Sequence, residues 1–543
     1  MENSGLDMYV FRDGRKTFAG RELLHRLADA LVRLRRNADR DSELRALIAA
    51  GELECALSDA ADGSEEWCRS AKAAERITDL AARALVDDSI EGIGEAEVLL
   101  RTFEVPPTLS IPVLEGFAYY ALHPGKFLDV LKKHRFERET AVIGIRSIGA
   151  PLSAVVAVAL GNSERISVRP TGHPYERVLE ITAAIREFIE RHRQDEFVIV
   201  DEGPGLSGSS FLSVAEALTQ CGISSERITM MGSRKPDPAQ LRTPNAAERW
   251  PKFRCIVTNE EPVLPAGAGE SIGGGWWRRL FLTDFENQPA SWTQLEMSKY
   301  LSMDRDVFYK FEGFGHFGEE IGERAKWLER SGFGPRYLGN EEGFGKYEVA
   351  KGSLLHANDV SPDVLHTMAR YCAMRGREMT SKSREESKLG EMLSWNWKCE
   401  FGEELPKQNL EVERLVTCDA RMLPHEWIDG ERQLLKLDAN SHGDDHFFPG
   451  PCDIAWDVAG AIVEWDMDRH ASEYFVEAYV RESGDNICAR LEAYLLAYST
   501  FRMGWSKMAA HASAGEFDQR LLERDHQRYR NTCQRLPKVA AAA

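Results

Sequence analysis

The sequence predicts a mixed α/β protein of more than one domain: a helical N-terminal region, a parallel-sheet α/β domain and a C-terminal bilobal α+β domain. Three observations predict it. Phe18, Leu23, Leu24, Leu27, Leu31 and Leu34 recur at helical spacing. Between residues 141 and 231, short β-rich apolar runs alternate with helical patterns, the signature of βαβ units. Beyond a Pro- and Gly-rich stretch at 235–295, short strands give way to long helical patterns such as 364–375 and 487–501. A chain of 543 residues accommodates two or three such domains, each with its own core.

Composition narrows the function classes. A net charge of -19 and a pI near 5.4 argue against a general nucleic-acid surface, which needs clustered Lys and Arg. Small-molecule substrates are expected, with neither nucleic acid nor membrane as partner; the oligomeric state is left open. The first 18 residues lack a basic region followed by an apolar core, and no run of 18 apolar residues occurs, so a cytoplasmic protein is expected. Ten scattered cysteines with no C-x-x-C pair read as reduced thiols.

Residues 1–104 form the expected helical region, in which Ile77, Leu80 and Leu85 mark a second apolar face. Arg33, Arg35 and Arg36 read as a solvated helix face rather than a phosphate site. Val105-Pro106-Pro107 breaks the chain and opens the α/β domain, 105–234. There, residues 141–145 form a strand, Arg146-Ser147-Ile148-Gly149 a turn, and 151–160 a helix with Pro near its start. Residues 166–169 form the next strand, followed by a loop at 170–174; Arg169, His173 and Arg177, in and beside that loop, are candidate anion contacts, a polar hairpin being the alternative. A helix at 178–191 leads to the strand 197–200, then Asp201-Glu202, a glycine-serine turn and a helix carrying Phe211, Leu212, Val214, Ala215 and Leu218. Such a strand-to-helix junction presents unpaired backbone N–H groups and the positive end of a helix dipole, so it suits a phosphate. An acidic strand end followed by an ordinary capped helix is the competing reading.

The pair Asp201-Glu202 followed by Ser207-Gly208-Ser209-Ser210 resembles the ribose-phosphate loop of type I phosphoribosyltransferases. The resemblance implies that Asp201 and Glu202 face the ribose hydroxyls of phosphoribosyl pyrophosphate (PRPP), while Ser207, Gly208, Ser209 and Ser210 wrap its 5-phosphate. Four residues, 203–206, separate pair and turn where the family has three. The turn Arg146, Ser147, Gly149 is similar to the family's pyrophosphate loop. Mg²⁺-assisted displacement of pyrophosphate is the reaction implied, with PRPP as substrate.

The stretch 235–295 is expected as a connector, in which Gly273-Gly274-Gly275-Trp276-Trp277-Arg278-Arg279 either covers an active site or docks on a neighbouring domain. Residues 296–543 are similar to the aminoglycoside phosphotransferase and choline-kinase branch of protein-kinase-like folds. The similarity rests on LLKLD at 434–438, a strand ending in an acid, and on Asp453-Ile454-Ala455 opening an amphipathic helix at 453–465. It implies Asp438 as a Mg²⁺ ligand and Asp419 as the catalytic base, with ATP as cosubstrate. Pro424 stands where the family's catalytic loop has Asn, so His425 or Glu426 is expected to supply the second metal contact. Lys310 in the strand VFYKF is expected to contact ATP, paired with Glu320 or Glu323, and 347–354 to form the hinge. Gly313-x-Gly315-x-x-Gly318, with Glu341 or Glu342 further on, keeps a dinucleotide fingerprint open as an alternative. The cluster His442, Asp444, Asp445 and His446 reads as a solvent loop, of which at most a pair assists Asp438.

The functional expectation is a bifunctional small-molecule transferase performing consecutive steps on one metabolite, PRPP-dependent phosphoribosyl transfer and ATP-dependent phosphorylation. The alternative is a nucleotide- or PRPP-binding regulatory protein whose C-terminal domain is a scaffold.

Overall fold

The computed structural model describes residues 8–12, 14–62, 65–258, 261–282, 288–383, 387–431, 433–513 and 515–536. The extreme N-terminus (1–7) and the tail at 537–543 therefore lie outside the described residues. The chain divides into two compact units. The first comprises Arg15–Leu264 and Gly313–Phe317; the second comprises Met1–Gly14, Pro265–Glu312 and Gly318–Ala543. The N-terminal helices thus share a unit with the α/β segment. The stretch expected as a connector is divided between the two units at residue 264 instead of standing apart.

In the first unit β1 (Arg15–Ala19) pairs antiparallel with β2 (Thr108–Pro112), bracketing four helices, α1 (Gly20–Arg36), α2 (Arg40–Ala61), α3 (Cys68–Asp87) and α4 (Ile93–Leu100). Leu23, Leu27, Leu31 and Leu34 of α1 are buried, as their spacing requires. Helix α2 opens on Asp39, whose carboxylate accepts from Ser42 N at 2.9 Å, and it buries charged residues as well as apolar ones. After α5 (Glu115–Ala118) and α6 (Gly125–Leu131) the chain builds β3 (Thr140–Ile145), α7 (Gly149–Ala159), β4 (Arg165–Val168), α8 (Ala183–Arg191), β5 (Glu196–Val200), α9 (Ser209–Gln220), β6 (Ile228–Gly232), α10 (Ala246–Arg249) and β7 (Arg254–Val257). Among the described residues these strands form one sheet in the order β4-β3-β5-β6-β7, every pair parallel. All residues of β3, β5 and β6 are buried, as in a parallel sheet covered on both faces. The helix expected from 178 begins only at 183: Val178 forms an antiparallel bridge with Thr171, so the loop after β4 folds back as a hairpin.

From residue 265 the second unit contains β8 (Ala268–Ser271), α11 (Trp277–Phe281), β9 (Lys299–Ser302), β10 (Val307–Phe311), α12 (His316–Arg330, in this unit from residue 318), β11 (Tyr337–Glu341) and β12 (Phe344–Glu348). Its sheet runs β11-β12-β10-β9-β8 and is antiparallel throughout. That pairing removes the dinucleotide alternative, because the glycine fingerprint works inside a parallel βαβ unit. Next come β13 (Gly352–Leu354), α13 (Pro362–Glu378), α14 (Leu389–Phe401), β14 (Leu415–Thr417), β15 (Trp427–Gly430), β16 (Leu434–Lys436), β17 (Pro451–Asp453), α15 (Ala455–Glu464), α16 (Arg469–Ser483), α17 (Cys488–Ala512) and α18 (Glu516–Arg535). The hairpin β15-β16 extends β13, and β14 pairs with β17. Met368, Tyr371, Trp397, Trp427, Trp456, Tyr494 and Tyr498 form part of one apolar core under these elements. No helix among the described residues is long and apolar enough to cross a membrane.

Candidate functional site

A cavity of about 560 Å³ opens in the second unit, lined from the antiparallel sheet by Lys299, Lys310 and Glu312 and from the helical part by Arg421, His425, Glu426, Asp438, His442, Asp445 and His446. Two turns deliver these residues. Asp438 follows the hairpin β15-β16 and adopts a left-handed backbone, φ 55°. The loop after β14 is held from below: Asp457, on α15, accepts the backbone N–H groups of Asp419 (2.9 Å) and Ala420 (3.0 Å), the latter residue also left-handed at φ 70°. Arg375, 1% exposed, ties the two turns together by donating to Ala439 O and Thr417 O, both at 2.8 Å.

Lys310 does not pair with the acids expected for it. Its ammonium donates to Asp438 and to Ser441 Oγ (2.7 Å). Glu320 and Glu323 are exposed on α12, Glu323 being bound to Lys326 at 2.7 Å, while the buried face of that helix is Ile321, Gly322, Ala325 and Leu328. The buried acid on the Lys310 side is instead Glu312, two residues on and therefore on the same face of the chain. Its Oε1 accepts from Tyr347 OH (2.5 Å) and Asn440 Nδ2 (2.8 Å), and burial raises its pKa.

Asp438 is the electrostatic centre. Burial opposes its charge, yet a hydrogen bond from His442 (3.2 Å) and the ammonium groups of Lys310 and Lys299 (3.8 Å) hold its carboxyl well below the usual range. Burial and Arg421 push His442 well below the imidazole range, so the ring is neutral; its Nδ1 is buried without a hydrogen-bond partner. Burial raises Glu426 to about 7 despite Lys436 at 2.7 Å.

Glu426, Asp438 and His442 offer ligand atoms within 4.8 Å of one another. Two carboxylates and a neutral imidazole suit a divalent cation, and the oxygen donors suit Mg²⁺ or Mn²⁺ with coordination positions left for phosphate oxygens. Among the described residues this group does not include His425. That ring stacks on Trp277 (5.4 Å, 19°), and burial lowers its pKa to about 3.

The loop at 418–424 presents a different residue from the one its sequence suggests. Asp419, expected as base, is fully buried and does not line the cavity; its carboxylate accepts from Tyr371 OH and meets Lys436 Nζ at 3.3 Å. Arg421 lines the cavity instead. Because Asp457 grips the N–H groups of 419 and 420, the loop turns there and the side chain two positions on emerges. No sequence signal identified Arg421, whereas the alternation along β10 was the available signal for Glu312. Of the cluster expected as a solvent loop, His442, Asp445 and His446 line the cavity and are buried, while Asp444 pairs with Arg12 (3.0 Å) and Arg324 (3.6 Å). The glycine-tryptophan stretch lies between β8 and β9, with Trp277 and Phe281 on the cavity wall.

In the first unit the two candidate loops leave neighbouring strands, β3 and β5, at their C-terminal ends. They meet so closely that a Cβ on Gly149 would sit 2.5 Å from Val200 O. Gly208 is left-handed (φ 68°) and starts α9; Ser207 Oγ and Ser209 Oγ lie 3.0 Å apart, and Ser209 donates to Pro174 O at 2.6 Å. Ser210 is half-buried in the first turn of α9. Burial raises Asp201 to about 7. Burial, Glu115 and Asp201 raise Glu202 well above the carboxylate range, and its Oε2 accepts from Gly116 N at 2.9 Å. Arg146, expected in the pyrophosphate loop, meets Asp62 at 2.6 Å and Asp59 at 3.2 Å, and Arg169 meets Asp59 at 2.6 Å. Ser147 O accepts from Cys55 Sγ at 2.9 Å.

No family model and no curated protein matches the chain. Among solved structures it is similar to Plasmodium vivax ethanolamine kinase at 11% identity, covering 48% of this chain and 85% of that one with a TM-score of 0.31. It is similar to choline kinase LicA from Streptococcus pneumoniae at 16% identity, covering 43% and 90% with a TM-score of 0.29. A choline/ethanolamine kinase family protein from Mesorhizobium loti shows 14% identity, covering 44% and 84% with a TM-score of 0.32.

Proposed function

We propose that the second unit is a Mg²⁺- and ATP-dependent phosphotransferase acting on a small hydroxylated molecule. The observation that carries this reading is the convergence of Glu426, Asp438 and His442 with Lys310 on one buried cavity. When bound, Mg²⁺ supplies charge neutralisation and orientation of the nucleotide phosphates. Asp438 and Glu426 hold the metal, and Lys310, now bound to Asp438, is placed to share its charge with phosphate oxygens. Glu312, Tyr347 and Asn440 lock the turn that carries Asp438 against the sheet that carries Lys310. The apolar wall of Trp277, Phe281, Trp292 and Phe308 limits water around the transferring group.

The test is the thermal transition of the full chain with Mg·ATP, beside Asp438→Ala. A ligand that binds only the native state raises the transition by RT ln(1 + [L]/Kd) in free energy. A shift present in wild type and lost in the variant supports the reading; no shift in either overturns it.

A second reading concerns the first unit, where we infer PRPP binding with phosphoribosyl transfer. It is favoured by the placement of the Arg146-Gly149 and Asp201-Ser210 loops on adjacent parallel strands, where ligands bind in such sheets. Backbone N–H groups at the start of α9 suit the 5-phosphate. Pyrophosphate would have to displace Asp59 and Asp62 from Arg146. The same shift assay with Mg·PRPP and Asp201→Ala tests it: binding without turnover across an acceptor screen would leave the regulatory alternative.

A further inference from the structure

Another part of the same cavity wall is built around cations, and it stands close enough to the metal residues for Arg421 to act on His442. Arg421 and Arg502 both lie over the ring of Trp505, at 5.9 and 4.8 Å from its centroid, and Arg421 also lies over Phe447 at 5.9 Å. Arg502 is committed elsewhere, to Glu464 (3.2 Å) and Tyr529 OH (3.2 Å). Arg421 is not. Its Nη2 meets Asp445 Oδ2 at 3.4 Å, and among the described residues its Nε and Nη1 have no hydrogen-bond partner. Asp445 is buried on the cavity wall, its other oxygen accepting from Phe447 N at 2.7 Å.

These contacts bear on the acceptor charge that the wall beside Arg421 suits. Beside Arg421 a cationic acceptor would need free aromatic faces, but protein guanidinium groups already lie over Trp505 and Phe447. It would also meet Arg421, whose neighbouring acid Asp445 is already paired with it. An anionic acceptor meets two unused donors of a planar fork, the geometry that suits a phosphate or a carboxylate. We propose, resting on the phosphotransferase reading, that the acceptor carries an anionic oxygen group bound by Arg421, and that Asp445 is the base for its hydroxyl.

Arrival of the anion draws Arg421 off Asp445 and frees a carboxylate beside the acceptor. The acceptor hydroxyl oxygen then bonds to the γ-phosphorus and its proton passes to Asp445. The bond from that phosphorus to the β,γ-bridging oxygen breaks, and its electron pair leaves on the nucleoside diphosphate. Burial already pushes Asp445 up to about 6, in keeping with a group that takes a proton near neutral pH.

The experiment measures ADP release by the full chain with Mg·ATP and four probes at equal concentration: glycerol, choline, glycerol 3-phosphate and glycerate. Only the two anionic probes are expected to raise release. Arg421→Met is expected to raise their KM roughly 10- to 100-fold, the loss of a charged hydrogen-bonding partner, with kcat less affected. Arg421→Lys, which keeps the charge and loses the fork, should fall between. Asp445→Asn should lower kcat roughly 10²- to 10⁴-fold with KM changed less. Turnover of choline or glycerol at the anionic probes' rate, an unchanged KM in Arg421→Met, or no release with any probe overturns the inference. If a variant fails to fold, the wild-type panel decides. Failure of the phosphotransferase reading is distinguished by the Mg·ATP shift, which that case alone removes.

Discussion

Lys310 donates to Asp438 across 128 residues of chain, joining a strand of the antiparallel sheet to the turn after the β15-β16 hairpin. This contact, with the longer one from Lys299 to Asp438 (3.8 Å) and without Glu320 or Glu323 of α12, joins the two parts of the cavity by charge. Lys310→Met leaves Asp438 with Lys299 and His442. It is expected to cost about 2 kcal/mol of stability and roughly 10²-fold in ATP turnover. Denaturant melts and ADP release check both.

Asp419 is expected to serve stability and not chemistry. It is fully buried between Tyr371 and Lys436, and Lys436 is itself fully buried. Asp419→Asn should destabilise the unit by about 3 kcal/mol, the cost of unpairing a buried charge. Turnover per folded molecule should change far less than in Asp445→Asn. A double-mutant cycle with Lys436→Met should recover part of the loss.

The pH dependence of stability should carry the mark of Asp201. Burial raises its folded pKa to about 7, above the ordinary value of 3.8. The folded state therefore binds more protons than the unfolded state between pH 4 and 7. The favourable contribution is complete below the unfolded value and is lost as pH rises through about 7. Asp201→Asn is expected to raise Tm relative to wild type at pH 8 and to leave it similar at pH 4, the comparison being made by melts across that range.

Gly149 permits the close approach of the two loops in the first unit. Gly149→Ala places a methyl 2.5 Å from Val200 O, which is strand backbone and cannot yield cheaply. A loss of about 1–3 kcal/mol is expected, together with loss of any Mg·PRPP shift, whereas Gly161→Ala, with nothing within 4 Å, should change no more than its backbone strain at φ 83° demands.

Much of the architecture was legible in order along the chain. The strand VFYKF appears as β10, the apolar runs near 141 and 197 as β3 and β5, and the pattern from 453 as α15, because each is a local periodicity that burial on one or both faces enforces. The helix expected from 178 began later, since pairing of Val178 with Thr171 outweighed helical spacing.

What the sequence by itself determined was the set of segments and the residue types at their ends, including the acid that follows 434–437 and the glycines at the two strand-to-helix turns. Tertiary structure decided which charges face the cavity. Arg421 rather than Asp419 emerges from its loop because Asp457, 38 residues further on, grips the preceding backbone. Arg146 is occupied because α2 and the residue that caps its end, far earlier in the chain, bring Asp59 and Asp62 to it. Glu312, not a helix acid, is the buried carboxylate on the Lys310 side because Tyr347 and Asn440 satisfy it there. Periodicity is a property of neighbours in sequence, whereas the partner that makes a buried charge tolerable comes from wherever the fold brings one.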